Sequence, residues 1–152
     1  MEIHPLRNHP EYIDILAAAL YNEFGHFRPG QTLIDRRRRL EECVGPNPLP
    51  NTFIVTERAE VIGSASIVEF SIPERQDLSP WLASVYTFPT HRRKGVATYL
   101  TNHVITYTRN LGYRTLYLFT EDKSEFYSRF GWNVIENDHV AGVPVVIMSK
   151  DL

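Results

Sequence analysis

The feature that most constrains the fold is a strand-helix-strand segment in the second half of the chain. Residues Trp81 to Phe88 have the aromatic and β-branched content of a strand, and Leu116 to Phe119 form a second short apolar run. Between them, apolar side chains recur at helical spacing, at Val96, Leu100, Val104, Tyr107 and Leu111. Parallel strands need a crossover of this kind, and such crossovers are almost always right-handed. The segment therefore predicts two parallel strands with a helix packed on their sheet.

The remaining segments complete a mixed sheet. Apolar side chains at helical spacing from Ile13 to Phe24 predict a helix capped by Asn8, with Pro10 in its first turn. A second helix is predicted over residues 31–44, with Leu33 facing inward. Further strands are predicted over residues 1–6, 52–57, 61–72, 132–135 and 143–148, and a short helix over 121–130. The run Leu116 to Phe119 is expected to be buried on both faces. The element order β-α-α-β-β-β-α-β-α-β-β predicts an α/β fold with helices flanking a mixed sheet.

Length and composition limit the class of protein. A chain of 152 residues suits one domain over residues 1–152. It holds neither an apolar run of membrane-spanning length nor a signal-peptide pattern, so we expect no membrane partner. Cys43 is the only cysteine, which fits a cytoplasmic protein, and no histidine spacing indicates a metal site. A net charge of -2 gives no electrostatic reason to expect nucleic acid as a partner.

The segment Pro89 to Thr98 lies where the predicted strand meets the long helix. Unpaired N–H groups and a partial positive charge at a helix N-terminus favour a phosphate group. Gly95 allows the backbone to approach such a ligand, Ala97 is small, and the basic run Arg92 to Lys94 adds positive charge. The segment contains neither the dinucleotide-binding glycine pattern nor a P-loop. We therefore interpret it as a turn that binds a diphosphate.

The same residues resemble the GNAT N-acetyltransferase superfamily. That family's turn reads Q/R-x-x-G-x-G/A, and residues 92–97, Arg-Arg-Lys-Gly-Val-Ala, match it. Residues 85–89 look like the family's fourth strand, and Phe126 to Trp132 look like its F-Y-x-x-x-G-F segment. The three elements occur in the family's order. The resemblance implies a mostly antiparallel sheet with a splayed central strand pair.

The resemblance also implies a co-substrate, acetyl-CoA. Its pantetheine arm would lie against the strand segment Val85, Tyr86 and Thr87, pairing with backbone atoms of Val85 and Thr87. Its pyrophosphate would rest on the amides of Arg93, Lys94, Gly95, Val96, Ala97 and Thr98, with Arg92 in the motif's first position. The family often has an asparagine where this chain has Thr120, so Thr120 or Ser124 is expected to replace that contact.

The expected chemistry is acetyl transfer to a neutral amine. Tyr127 occupies the family's position for the acid that assists the departing thiolate, and a backbone N–H of Val85 or Thr87 would stabilise the oxyanion. An amine with a pKa of about 10.4 must also lose a proton. The sequence leaves the base open among Glu69, His26, His139 and water.

The acceptor is also left open. We expect a primary amine of a small molecule, with a peptide or protein N-terminus or lysine as the alternative, and a non-catalytic acyl-CoA sensor as a third reading. The run Arg36 to Arg39 is interpreted as a solvated helix face, from which one or two arginines could reach the cleft and attract an acidic substrate. The oligomeric expectation is a monomer or homodimer.

Overall fold

The computed structural model describes all residues, 1–152, and contains seven strands and four α-helices. The strands are β1 (Glu2–Pro5), β2 (Asn51–Glu57), β3 (Glu60–Val68), β4 (Trp81–Thr87), β5 (Thr115–Thr120), β6 (Asn133–Val140) and β7 (Val143–Asp151). The helices are α1 (Ile13–Phe24), α2 (Leu33–Glu42), α3 (Val96–Asn110) and α4 (Ser124–Ser128). None of these helices has the length and apolarity needed to cross a bilayer.

All seven strands form one sheet in the order β1-β2-β3-β4-β5-β7-β6. Every neighbouring pair is antiparallel except β4 and β5, which are parallel and joined by α3. The predicted element order and the mixed, mostly antiparallel sheet are therefore confirmed. The parallel pair lies in the middle of the sheet, where it divides four N-terminal strands from three C-terminal ones.

Helices cover both faces of the sheet. Helix α3 packs on one face through Val96, Leu100 and Val104, against side chains of β2, β3 and β5. Helices α1 and α2 pack together on a second cluster that includes Ile54 of β2 and Val61 of β3. Since side chains alternate across a strand, this arrangement buries both faces of β2 and β3. The helix that follows β4 and the helices that precede β2 thus pack against different clusters.

Two expectations about the N-terminal helices are wrong. Asn8 does not cap α1, because residues 10–12 form a 3₁₀ turn and the α-helix begins only at Ile13. Leu33 is 45% exposed, because the helix starts at a capping box in which Thr32 and Asp35 exchange hydrogen bonds of 2.9 and 3.2 Å. This start turns the first residues of α2 towards solvent.

Strand β5 also differs from the expectation. It alternates between fully and partly buried residues, with Leu116 and Leu118 in the α3 cluster. Tyr117 and Phe119 point to the opposite face and pack beside Trp81. On that face Phe119 packs against Phe27 of the 3₁₀ turn Gly25–Phe27, and both Tyr117 and Phe119 stay partly exposed.

The start of α3 is seated directly on β3 at Gly63. A Cβ atom at this position would lie 2.7 Å from Val96 Cγ1 and 2.9 Å from the backbone oxygen of Tyr86. The second neighbour is backbone and cannot rotate away. The absence of a side chain at Gly63 therefore sets the position of the α3 N-terminus relative to β4.

We predict that Gly63→Ala destabilises the protein by about 1–3 kcal/mol, the usual cost of overpacking a core. Chemical denaturation followed by circular dichroism measures the change. Gly45→Ala is the matched control, since its nearest neighbour would be 3.9 Å away. Its expected effect is within about 0.5 kcal/mol. Equal stability of the two variants would contradict this account of helix seating.

Candidate active site

A cleft opens where β4 and β5 separate. The two strands share one register pair, Trp81 with Tyr117, and beyond it each continues without the other. The resulting cleft has a volume of about 660 Å³. Its walls come from the α1–α2 connection, α2, the end of β3, β4, β5 and the segment that leads into α4. The splayed central pair implied by the sequence is thus present.

A bulge in β4 shapes the cleft wall. Ser64 and Ser66 of β3 pair with Tyr86 and Ala83, so Ser84 and Val85 together face one residue. Ser84 has a φ of 54°, in the left-handed region that few residues other than glycine adopt. Backbone strain of this kind concentrates at functional sites. The bulge bends β4 at the point where it lines the cleft.

The free edge of β4 presents peptide groups to the cleft. The N–H of Phe88 donates to the Ile62 carbonyl at 2.9 Å, so the peptide groups of Phe88 point towards β3. Because peptide groups alternate in direction along a strand, those of Thr87 and Val85 point the other way. The Thr87 carbonyl there accepts a hydrogen bond of 2.9 Å from Arg92 Nε. The side chain of Tyr86 packs against the ring of Phe88.

The turn after β4 leaves a row of unused donors. The backbone N–H groups of residues 93–98 donate to no acceptor within the chain, while the Gly95 carbonyl accepts the first α3 bond from Tyr99 N at 2.9 Å. Arg93 and Gly95 have φ values of 62° and 82°. A Cβ atom at Gly95 would meet nothing within 4 Å, so the space in front of the turn is open. These donors begin a helix of 15 residues, which adds its partial positive charge.

The basic side chains of the turn are exposed, but that of Arg92 folds back onto β4. It donates to the Thr87 carbonyl, and its guanidinium lies 5.6 Å from the centre of the Tyr86 ring. The side chain of Val96 is buried in the α3 cluster, so only its amide reaches the turn. These turn residues lie outside the set that lines the cleft.

Tyr127 lies inside the cleft on α4. It is 8% exposed and packs its ring against Phe126 and Trp132, with centroid distances of 5.2 and 5.9 Å. Burial raises the pKa of Tyr127 to about 12. A phenol in this setting keeps its proton at every physiological pH, so the group is available as a hydrogen-bond donor.

Thr120 stands at the end of β5, also in the cleft wall. Its Oγ1 accepts a hydrogen bond of 2.9 Å from the backbone N–H of Lys123. This contact shapes the turn that leads into α4 and thereby positions Tyr127. The hydroxyl proton of Thr120 is not used by that bond and remains able to donate.

The candidate bases separate into two groups. His26 and Glu69 line the cleft, and His139 does not. His26 Nε2 lies 3.0 Å from Glu121 Oε2 and its ring is 4.2 Å from that of Phe27. The contact joins the α1–α2 connection to the end of β5. Glu121 is thus a site residue that sequence reasoning missed, since its partner is 95 positions away.

The four arginines of α2, residues 36–39, point in two different directions from the helix. Arg37 pairs with Asp14 at 2.6 Å and also with Glu41, and Arg38 is exposed. Arg36 and Arg39 line the cleft with Arg28 of the α1–α2 connection. Arg36 is 7% exposed, and burial lowers its pKa to about 10 and that of Arg39 to about 9. Arg37 and Arg38 thus form the expected solvated face, and Arg36 and Arg39 are the two arginines that reach the cleft. No group of three or more His, Cys, Asp or Glu residues could hold a metal ion.

The architecture is that of solved acetyltransferases. An aminoglycoside 6'-acetyltransferase type Ii superposes with a TM-score of 0.77 at 20% identity, over 99% of this chain and 97% of that one. An aminoglycoside 6'-N-acetyltransferase complexed with coenzyme A gives a TM-score of 0.79 at 17% identity, with the same coverage. Ribosomal-protein-alanine N-acetyltransferase from Brucella melitensis gives 0.74 at 19% identity, over 100% of both chains. These likenesses establish the fold class.

The sequence assigns the chain within that class. Residues 6–135 match the family model of the acetyltransferase (GNAT) domain. None of the curated protein sequences matches the chain. The chain therefore belongs to the GNAT family and is an N-acetyltransferase of that type, as its turn and its Phe126 to Trp132 segment predict.

Proposed function

We propose that the protein binds acetyl-CoA and transfers the acetyl group to a primary amine of a small molecule. The observation that carries the proposal is the row of free N–H donors at residues 93–98, which follows directly from a strand whose edge opens into a cleft. A diphosphate on the turn would leave the pantetheine arm to follow β4. The arm would pair with peptide groups of Val85 and Thr87, as an added strand does. Arg92 would then release the Thr87 carbonyl and donate its hydrogen bond to the ligand.

The size of the cleft supports a small acceptor. Its volume of about 660 Å³ lies within the range of small-molecule pockets, roughly 300–1,000 Å³. The pantetheine end and the acceptor would share this volume. A peptide or protein acceptor is the alternative. Pooled small amines and N-terminal peptides, assayed for release of the CoA thiol, distinguish the two, and acetylation of peptides alone would contradict the proposal.

The proposed reaction is direct attack within a ternary complex. The neutral amine nitrogen forms a bond to the thioester carbon, and the resulting oxyanion accepts a hydrogen bond from the N–H of Val85 or Thr87. The carbon–sulfur bond then breaks and the thiolate leaves beside Tyr127. A phenol with a pKa of about 12 is a weaker acid than a thiol of about 8.5, so complete proton transfer from Tyr127 is uphill. Tyr127 therefore acts by hydrogen bonding to the developing thiolate. The attacking nitrogen loses its proton to the base or to water, and the released thiolate takes up a proton from solvent.

We predict that Gly95→Glu abolishes binding of acetyl-CoA, because a carboxylate would occupy the open space in front of the free amides. Titration calorimetry with acetyl-CoA measures the affinity. Gly112→Glu is the matched control, since Gly112 has a φ of 97°, an equally open surrounding and a place at the other end of α3. Both variants carry the same backbone strain. Unchanged affinity in folded Gly95→Glu, or equal loss in both variants, would contradict binding at this turn.

We predict that Tyr127→Phe lowers kcat on the order of 10²-fold, the lower end of the range for removing one hydrogen-bond donor to a developing anion, without weakening acetyl-CoA binding. The ring and its packing remain, so the fold should persist. Because the pKa of Tyr127 is about 12, the loss should be the same at every pH from about 6 to about 10. Single-turnover kinetics isolate the chemical step. A wild-type rate for that step would remove Tyr127 from the mechanism and favour an unassisted leaving group, whereas the absence of the step in the wild-type protein would favour a non-catalytic acyl-CoA sensor.

We predict that His26→Ala raises the KM for the amine more than the KM for acetyl-CoA, because His26 lines the cleft from the α1–α2 side. His139→Ala should change neither, since that side chain lies outside the cleft on β6. Steady-state kinetics with both substrates varied give the two constants. If His26 is the base, His26→Ala also lowers kcat and removes the low-pH limb of the plot of kcat against pH. If Glu69 or water is the base, the variant keeps that limb. Equal effects of the two histidine variants would contradict the placement of the acceptor.

A further inference from the structure

The side of the cleft formed by α2 and the α1–α2 connection contains three arginines without a carboxylate partner. Arg28, Arg36 and Arg39 line it, and none of the ion pairs of the structure includes them. The one side-chain contact is a long hydrogen bond of 3.4 Å from Arg36 Nη2 to Ser84 Oγ. By contrast, Arg37 on the same helix pairs with two carboxylates. The chain thus leaves its most buried arginine unpaired and pairs an exposed one.

An unpaired charge in this position is unfavourable for the folded protein. Arg36 is 7% exposed, and a buried charge without a partner destabilises the folded state. Burial lowers the pKa values of all three arginines, and neighbouring arginines lower those of Arg36 and Arg39 further. If the side chain at position 36 served packing alone, an apolar side chain of the same length would suffice. A group that is unfavourable in the free protein and directed into a binding cleft is typical of a ligand contact.

The acidic residues of the cleft do not neutralise this cluster. Those in the lining are all exposed, at Glu23, Glu42, Glu69, Glu121 and Asp122. Glu121 is already paired with His26 at 3.0 Å, and none of the others lies within ion-pair distance of an arginine. The deeper part of this side is therefore positive, and the acids lie at its rim.

We propose that the amine acceptor carries an oxyanion, a carboxylate or phosphate group, which Arg36 and Arg39 bind with Arg28 beside them. This inference rests on the proposed function, because it assigns the substrate class of the same cleft. Guanidinium groups bind planar and tetrahedral oxyanions through paired N–H donors. Arg36 reaches Ser84, in the bulge of the strand whose edge would hold the thioester. The anion and the amine therefore belong to one small molecule that spans from α2 to the cleft floor.

The phosphates of acetyl-CoA are the competing ligand for these arginines. The free N–H donors of residues 93–98, at the start of α3, offer these phosphates a separate site. Arg36 and Arg39 lie on α2, which belongs to the other helix layer. If the arginines instead held a CoA phosphate, their removal would weaken acetyl-CoA binding. The acetyl-CoA affinities of Arg36→Met and Arg39→Met measure that outcome.

Binding is the first experiment, because it does not depend on turnover. The protein saturated with CoA is titrated by calorimetry with matched pairs: the standard L-amino acids, β-alanine and 4-aminobutyrate, each beside its primary amide. 2-Aminoethylphosphonate distinguishes a phosphate-type from a carboxylate-type acceptor, and spermidine serves as a polycation. We expect one or more acids to bind about 10- to 100-fold more tightly than their amides, the range for a hydrogen bond to a charged group, and spermidine not to bind.

Three variants of α2 test the residues. Arg36→Met and Arg39→Met keep the length of the side chain and remove the charge; each should abolish the preference for the acid and leave acetyl-CoA affinity unchanged. Arg36→Lys should restore part of the preference. Arg38→Met is the matched control on the same helix and should behave as wild type, since Arg38 is exposed and lies outside the cleft. Thermal unfolding of Arg36→Met should be as high as wild type or higher, because an unpaired buried charge is gone.

The outcomes separate this inference from the proposed function. Equal binding of acids and amides, binding of neither, or loss of acetyl-CoA affinity in Arg36→Met and Arg39→Met would overturn the oxyanion site. A lower unfolding temperature of Arg36→Met with an unchanged acid preference would make Arg36 a structural residue. Preferential binding of acids without acetylation of any of them would support the oxyanion site and contradict the proposed transferase reaction.

Discussion

The separation of β4 from β5 is the constraint on which the rest of the site depends. The strands meet at Trp81 and Tyr117, where Trp81 is fully buried and its indole N–H donates to the Leu78 carbonyl at 2.7 Å. After that contact the bulge at Ser84 turns β4 away. Full pairing would close the cleft and use every peptide group on the facing edge. The free edge, the cleft volume and the access to Tyr127 all follow from this one interrupted ladder.

The separation also divides two positively charged regions. Free amides at the start of α3 lie in one helix layer, and the arginines of α2 lie in the other. Between them the cleft floor is apolar around Leu82, Leu118 and Tyr127. Oxyanions at both ends would hold two substrates with their reactive groups in the neutral middle. Low polarity there disfavours the ammonium form of an amine and so favours the nucleophile.

Much of this arrangement follows from sequence, and the exceptions have physical causes. The crossover from β4 to β5 and the turn at Gly95 are visible because local spacing and a helix N-terminus determine them. The left-handed Ser84 has no local signal, since serine carries no preference for that conformation and tertiary pairing imposes it. The contact of His26 with Glu121 is likewise tertiary. The sequence allows one or two inward arginines, and Leu40 and Cys43, which mark the same buried stripe, would have identified them as Arg36 and Arg39.

The most direct test of the account is a crystal structure with bound acetyl-CoA. It should show pyrophosphate oxygens within about 3.5 Å of the backbone nitrogens of residues 93–98, which are free in the chain alone. The pantetheine amides should pair with the free edge of β4, and the thioester sulfur should face the hydroxyl of Tyr127. Acetyl-CoA bound with its phosphates on Arg36 and Arg39, or with its thioester outside the gap between β4 and β5, would contradict the account.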